Sequence, residues 1–290
     1  MRINHNLASL NIYKSHTKVM SRQSNVMNRI SSGFKINSAK EDPNGIAVSE
    51  KMRLQIRGLE VAQRNAQDGM SMIQTADGAL NEVTSMVQRI RELTIQSGST
   101  LSDSDKEKIQ GEINEMIDGI DDIINNSEFN GKNLLKAGKD LKGKYDNNNP
   151  KIEQMPVGAN VGEVVDIPFF DLSSNNLGND IKTLTDIKGD GLKNLGIDGC
   201  LSVLDSAMNT ITAVRSKYGA LENRFDGTYT KIGEIHDTIV GTESKIRDSD
   251  VAEEMMNLAR DNILIEAGHA MMVQSNKFPQ DALRVLEGVK

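Results

Sequence analysis

The sequence predicts a mainly α fold: a long antiparallel helical bundle or coiled coil with paired N- and C-terminal helices and a small β-hairpin region in the middle of the chain. Three observations carry that expectation. Apolar residues recur at helical spacing over long runs in both arms of the chain. Aromatic residues make up only 3% of 290, Trp is absent and Pro occurs five times, so rigid core fillers are scarce while helix formers run almost unbroken. Between the arms the composition shifts to Gly, Asn, Asp and Lys.

From Ile3 to Phe34 the apolar positions are Ile3, Leu7 and Leu10, then the pairs Ile12/Tyr13, Val19/Met20 and Val26/Met27, each pair seven residues after the last. A seven-residue repeat marks an amphipathic helix that needs a helical partner. Gly33, Pro43, Asn44 and Gly45 punctuate Ser31 to Gly45 as a linker. The segment Ile46 to Ser97 then alternates spacings of three and four through Leu59, Ala62, Ala66, Gly69, Ile73, Ala76, Leu80, Val83, Val87 and Ile90. Such a helix would run roughly 75–80 Å. Its small residues would let a partner backbone come close.

Ser104 to Glu107 reads as a capping box after a loop at Gly98 to Asp103. It opens a helix with the stripe Ile109, Ile113, Met116, Ile120 and Ile123, expected to fold back antiparallel on the long one. Short apolar pieces at Lys151–Val157 and Val161–Phe170 predict a β-hairpin, with Pro156 and Pro168 limiting its regularity. The long period returns at Leu201, Leu204, Met208, Ile211, Arg215, Tyr218, Glu222, Phe225, Tyr229, Ile232, His236 and Ile239. A break near Gly241 leads to a last helix from Ser244 to about Lys277, with Val251, Met255, Leu258, Ile265 and Met272 apolar and Pro279 opening a short final turn. Two arms that each present an apolar stripe should pair with each other; an ordinary helical bundle would show the same periodicity.

A net charge of −7 offers no clustered positive face for nucleic acid or an anionic membrane. Cys200 is alone, which excludes an intrachain disulfide, and no Cys/His metal spacing is present. The N-terminal MRINHNLASLNIYKSH lacks the apolar run of ~7–15 residues of a secretory signal, and no stretch approaches the ~18 apolar residues of a membrane span. By these signals alone the chain reads as soluble and cytoplasmic.

Specific motifs reverse that last reading. Ser31 to Ser99 strongly resembles the N-terminal region shared by bacterial flagellins, and LENRF (Leu221 to Phe225) with Glu243 to Leu286 resembles the matching C-terminal region. FNGKNLL (Phe129 to Leu135) and VGAN (Val157 to Asn160) resemble family motifs in the right order. The resemblance implies an inner, filament-core domain of about 1–42 plus 243–290 and a second domain of about 43–242, a helical rod carrying the β-hairpin region at about 136–199. With only about 65 residues between the arms, large outer domains should be absent. The filament-core stripe would comprise Ile3, Leu7, Leu10, Val19, Val26, Val251, Met255, Leu258 and Ile265. Terminal helices that bury their stripes only in a polymer should be disordered in the free chain or held by a chaperone.

The resemblance further implies a structural protein and no enzyme, with no cofactor, exported unfolded by the flagellar type III apparatus and working outside the cell. Its partners would be other copies of itself, a flagellar secretion chaperone, the filament cap, hook–filament junction proteins and host Toll-like receptor 5. QRIRELTIQ (Gln88 to Gln96) resembles the receptor-recognised segment, with Arg89 and Leu93 on matching positions and Glu112 on a third. Arg89 and Leu93 are one turn apart and can share a face. The primary role expected of that face is subunit packing. Thr94 and Ile95 depart from the commonest family residues.

Other candidates weigh little. Arg215, Glu222 and His236 interrupt an apolar stripe, either fixing register or snorkelling to its rim. His5, His16, His236 and His269 are too scattered along the chain to suggest a metal site, and none belongs to HExxH. Asp103, Asp105, Asp118, Asp121 and Asp122 read as solvated helix ends and faces. A hook–filament junction protein would share both ends, but the intact QRIRELTIQ and FNGKNLL favour a flagellin. A secreted enzyme would need a catalytic constellation in 136–200, which holds no His.

Overall fold

A computed structural model of the chain describes residues 6–98, 102–136, 151–179 and 182–287. The elements in order are α1 (Leu7–Ser32), α2 (Pro43–Ser97), α3 (Asp103–Asn126), β1 (Glu128–Phe129), β2 (Lys132–Asn133), β3 (Lys151–Pro156), β4 (Val164–Phe169), α4 (Leu184–Ile187), α5 (Gly191–Asn194), α6 (Gly196–Arg247) and α7 (Val251–Glu287). The mainly α expectation holds. Two compact units divide the chain, one of residues 1–56 with 237–290 and the other of 57–236.

In the 57–236 unit the α2 stripe is buried from Leu59 to Leu93, and Leu204, Ile211, Tyr218, Phe225 and Ile232 of α6 are buried with it. Charged and polar pairs set an antiparallel register between these stretches: Gln74 Nε2 donates to Glu222 at 2.7 Å and Arg215 Nε to Asp77 at 2.9 Å. His236 Nε2 lies 3.8 Å from Glu60. The three polar interruptions of the α6 stripe are therefore cross-helix partners. Early in α6 the buried face is wider than the predicted stripe, because Cys200, Val203, Ala207 and Val214 are buried too. The reason is a second neighbour on the other side: Cys200 Sγ points to Gly191 O at 3.7 Å and the Tyr218 hydroxyl donates to Pro168 O at 3.3 Å.

The cap of helix α3 lies two residues earlier than predicted. Ser102 is the N-cap, its hydroxyl accepting from Asp105 N. Ile109, Ile113, Ile117, Ile120 and Ile124 form its buried face, so the stripe passes through Ile117 and Ile124, with Met116 and Ile123 only half-buried. The predicted fold-back is present: Arg89 pairs with Glu112, and Met86 packs beside Gly119.

The predicted hairpin is β3–β4, in register from Lys151↔Phe169 to Pro156↔Val164. Val165, Ile167 and Phe169 alternate onto its buried face. Its turn is closed by Val157 N donating to Glu163 O at 2.9 Å and by Glu163 accepting from Asn160 N and Nδ2, each at 3.0 Å. These bonds hold the Glu163 carboxyl below its ordinary pKa, the side-chain bond from Asn160 foremost. Ala159 stands on Gly58 of α2, where an added Cβ would come within 3.0 Å of the Ala159 Cβ. At Gly69, by contrast, the close neighbours are the side chains of Phe225 and Met155, so the small-residue stretch admits side chains there. A second, two-residue hairpin, β1–β2, turns at Asn130 (φ 51) and Gly131 (φ 75), a turn needing left-handed backbone twice.

In the other unit α1 ends at Gly33, whose φ of 74 supplies the left-handed cap. Helix α6 runs through Gly241 to Arg247, and the break falls at 248–250 instead. There Asp250 Oδ1 accepts from Ala252 N at 2.9 Å and so caps α7. Pro279 lies inside α7. The single donor it removes does not stop a helix of 37 residues.

Candidate assembly surface

Helices α1 and α7 pack on each other, and a series of polar pairs joins them. Asn6 Nδ2 donates to Ser275 O at 2.8 Å at one end. Next, His16 Nε2 meets His269 Nε2 at 3.2 Å. Arg22 Nε then reaches both carboxylate oxygens of Asp261 at 3.0 and 2.9 Å, and Gln23 Nε2 donates to Asn262 Oδ1 at 2.6 Å. Last comes Arg29, donating to Glu254 at 3.3 Å. Asp261 is fully buried, at 0% exposure. Arg22 nevertheless holds its carboxyl below the usual carboxylate range, through the hydrogen bonds first and the charge second, while burial pushes the other way.

The chain turns that border this seam are clamped as well. Phe34 meets two guanidinium groups, with Arg53 Cζ at 5.6 Å and Arg247 Cζ at 5.1 Å from its ring centroid. Lys35 N donates to Arg247 O at 2.7 Å and Ser249 N to Gly33 O at 2.9 Å. Glu243 accepts from Ser49 Oγ at 2.8 Å and Arg53 Nε at 3.0 Å.

The apolar residues divide between the seam and the open surface. Among the predicted stripe positions Val26 is buried, Val19, Leu258 and Ile265 are half-buried, and Leu7, Leu10, Val251 and Met255 are exposed. Ile3 lies outside the described residues. Exposure reaches 62% at Leu7 and 70% at Phe278, and Tyr13, Met20, Met27, Met256, Ile263, Leu264, Met271 and Val273 are exposed with them. An apolar surface of this extent on one helix pair marks an interaction site. The heptads thus predict paired helices, but the pairing also uses polar positions and leaves much of the apolar face open.

Periodicity missed the seam because it scores apolar residues. One signal was available: Arg22 and Arg29 are seven apart on α1, and Glu254 and Asp261, of opposite charge, are seven apart on α7.

The three residues matched to receptor contacts lie in the 57–236 unit. Arg89 is exposed and donates to Glu92 at 3.1 Å and Glu112 at 2.9 Å, bonds that raise its pKa, Glu112 foremost. Leu93 is 1% exposed and packs into the core of its own chain. Arg89 and Glu112 are thus brought together on the surface and Leu93 lies beneath it. Among the described residues no cluster of three or more potential metal ligands occurs, and no helix is long and apolar enough to cross a membrane.

Comparison with known proteins explains this arrangement. The family model described as the bacterial flagellin N-terminal helical region matches residues 3–140, and that of the C-terminal helical region matches 201–286. Flagellin of Bacillus subtilis (strain 168) is 38% identical, over 99% of this chain and 100% of that protein. The flagellar filament 30.7 kDa core protein of Treponema maltophilum is 36% identical, over 99% and 100%. Among solved structures, flagellar hook associated protein-3 of Legionella pneumophila shares the fold, with a TM-score of 0.54 at 14% identity over 68% of this chain and 98% of that one. Both helical arms, matched in order and full length against curated relatives, place this chain in the bacterial flagellin family.

Proposed function

We propose that this chain is the structural subunit of a bacterial flagellar filament, built by copies of itself that cover the exposed apolar faces of α1 and α7, and that the filament serves swimming motility. The observation that carries this reading is the open apolar face on a helix pair already joined by polar bonds. In the free chain this face has water on it; in a polymer it would be the core. Residues 1–42 with 243–290 would form that inner core and 43–242 the surrounding tube. Contacts that run head to tail without closing generate a helical filament instead of a ring. The subunit would leave the cell through the flagellar type III apparatus with a secretion chaperone, add beneath the filament cap, and adjoin hook–filament junction proteins.

Ile263→Asp tests this. Ile263 is 66% exposed, so the free chain should keep its helix content, with stability changed by no more than about 0.5 kcal/mol. Polymer seen by electron microscopy and sedimentation should disappear. Normal filaments from this variant would refute the reading.

A second reading concerns host Toll-like receptor 5. It is supported by the Arg89–Glu112 ion pair, which joins two of the three matched positions on one exposed surface. Leu93 would then act from below by holding α2 in place. An Arg89→Ala chain in monomeric form should lose receptor activation. Unchanged activation would reject this reading and leave assembly untouched.

A further inference from the structure

The four histidines are scattered in sequence, but α1 and α7 bring two of them edge to edge. His16 Nε2 and His269 Nε2 are 3.2 Å apart, with ring centroids at 4.4 Å and planes inclined by 62°. We propose that this pair is a binding site for a divalent transition-metal ion of the zinc, copper and nickel class, which would clip the N-terminal helix to the C-terminal one.

The separation of the two nitrogens is the first argument. An imidazole nitrogen sits about 2.0–2.1 Å from zinc, so two ligands at a tetrahedral angle lie about 3.3–3.4 Å apart. His16 and His269 already hold that spacing, so turning the exposed His269 ring would admit an ion without moving either helix. With the hydrogen bond in place, one Nε2 bears a proton and the other receives it. With Nε2 unprotonated on both rings, an ion takes the place of the shared proton. Binding therefore releases no chain contact other than that hydrogen bond, and protons compete with the metal.

Placement is the second argument. His16 is 8% exposed, and Gly268 lies against its ring, where a Cβ would stand 3.2 Å from Cδ2. The ring is thus fixed by its surroundings. His269 is exposed and opens the site to solvent, from which the ion arrives and which fills the remaining coordination positions. Arg22, the next cation along the seam, is neutralised by Asp261. Imidazole ligands with water favour zinc, copper or nickel over magnesium or calcium, which take oxygen ligands.

The inference depends on the pairing of α1 with α7 and not on polymerisation. Full-length chain, both monomeric and assembled, is titrated with Zn²⁺ by calorimetry and with Cu²⁺ by electron paramagnetic resonance. Expected are one ion per chain and a copper spectrum with two nitrogen ligands. Affinity should fall at least about tenfold in His269→Gln and in His16→Gln, since loss even of an outer-shell partner costs about 10–100-fold. His5→Gln and His236→Gln should bind as before. His269 is exposed, so its replacement spares the packing, and His269→Cys should restore Zn²⁺ binding with a thiolate ligand. Binding unchanged in His269→Gln, or no stoichiometric binding in either form of the chain, would overturn the proposal. Failure to form filaments would leave this result intact and would bear on the proposed function instead.

Discussion

Replacing glycine by alanine at two places in α2 should move stability in opposite directions. Gly69 and Gly78 both lie inside this helix and within the 57–236 unit. Each substitution gains about 1 kcal/mol of helix propensity, because alanine loses less backbone freedom. At Gly78 nothing lies within 4 Å of the added Cβ, so that gain stands alone. At Gly69 the new methyl would come 2.7 Å from Met155 Sδ and 2.9 and 3.0 Å from two ring carbons of Phe225. Met155 can shift its flexible side chain, but the Phe225 ring is fully buried and has little room to retreat. Such overpacking costs about 1–3 kcal/mol. Propensity cancels between the two variants, so Gly69→Ala should be less stable than Gly78→Ala by about 1–3 kcal/mol. Urea unfolding of the free chain, followed by circular dichroism, should show a lower midpoint for the first and a higher one for the second, at unchanged slope. Adding Phe225→Leu to Gly69→Ala should recover part of the loss, a coupling between touching residues of about 1 kcal/mol. Equal stabilisation by both alanines would refute the close packing of Phe225 on α2.

Three further outcomes follow from the geometry. The Asp261 carboxyl is depressed by Arg22, so the stability of that pair is present above the ordinary carboxylate value of about 3.9 and is lost as the pH falls through the lower folded-state value; hydrogen exchange of α1 and α7 should accelerate there in the natural chain, and Asp261→Asn should exchange fast already at neutral pH. Phe34→Ala removes two cation–π contacts worth about 0.5–1 kcal/mol each, and proteolytic cleavage of 33–42 should rise by roughly 5–30-fold. Leu93→Ala opens a cavity in the core and should lower unfolding stability by about 2–5 kcal/mol, whereas Arg89→Ala, on the surface, should leave the unfolding midpoint almost unmoved.

The helices were legible because their cause is local. A stripe such as Leu59 to Ile90 states its period in the chain, and turn residues such as Gly33 state a stop. Errors arose where local signals competed. Gly241 reads as a breaker, but one glycine costs about 1 kcal/mol and the continuing helix absorbs it, while Asp250 supplies the actual cap two residues before Ala252. Ser102 takes the cap of α3 because Asp105 lies three residues on, as Glu107 does from Ser104, and both choices obey the same rule. Asn130-Gly131 carried a hairpin signal of its own that was read only as part of a family motif. The widened face of α6 and the meeting of His16 with His269 depend on which elements become neighbours, so no pattern within one segment contains them.

Along the seam of α1 and α7 the two cations, Arg22 and Arg29, belong to one helix, and the two anions, Glu254 and Asp261, belong to the other. Two copies of α1 laid together would oppose guanidinium to guanidinium, and two copies of α7 would bury carboxylate against carboxylate. Each helix therefore rejects its own kind. It accepts the other because the two seven-residue intervals match, so that both ion pairs close at once. Four side chains thus sort the ends of many identical chains, admitting unlike ends and turning away like ones.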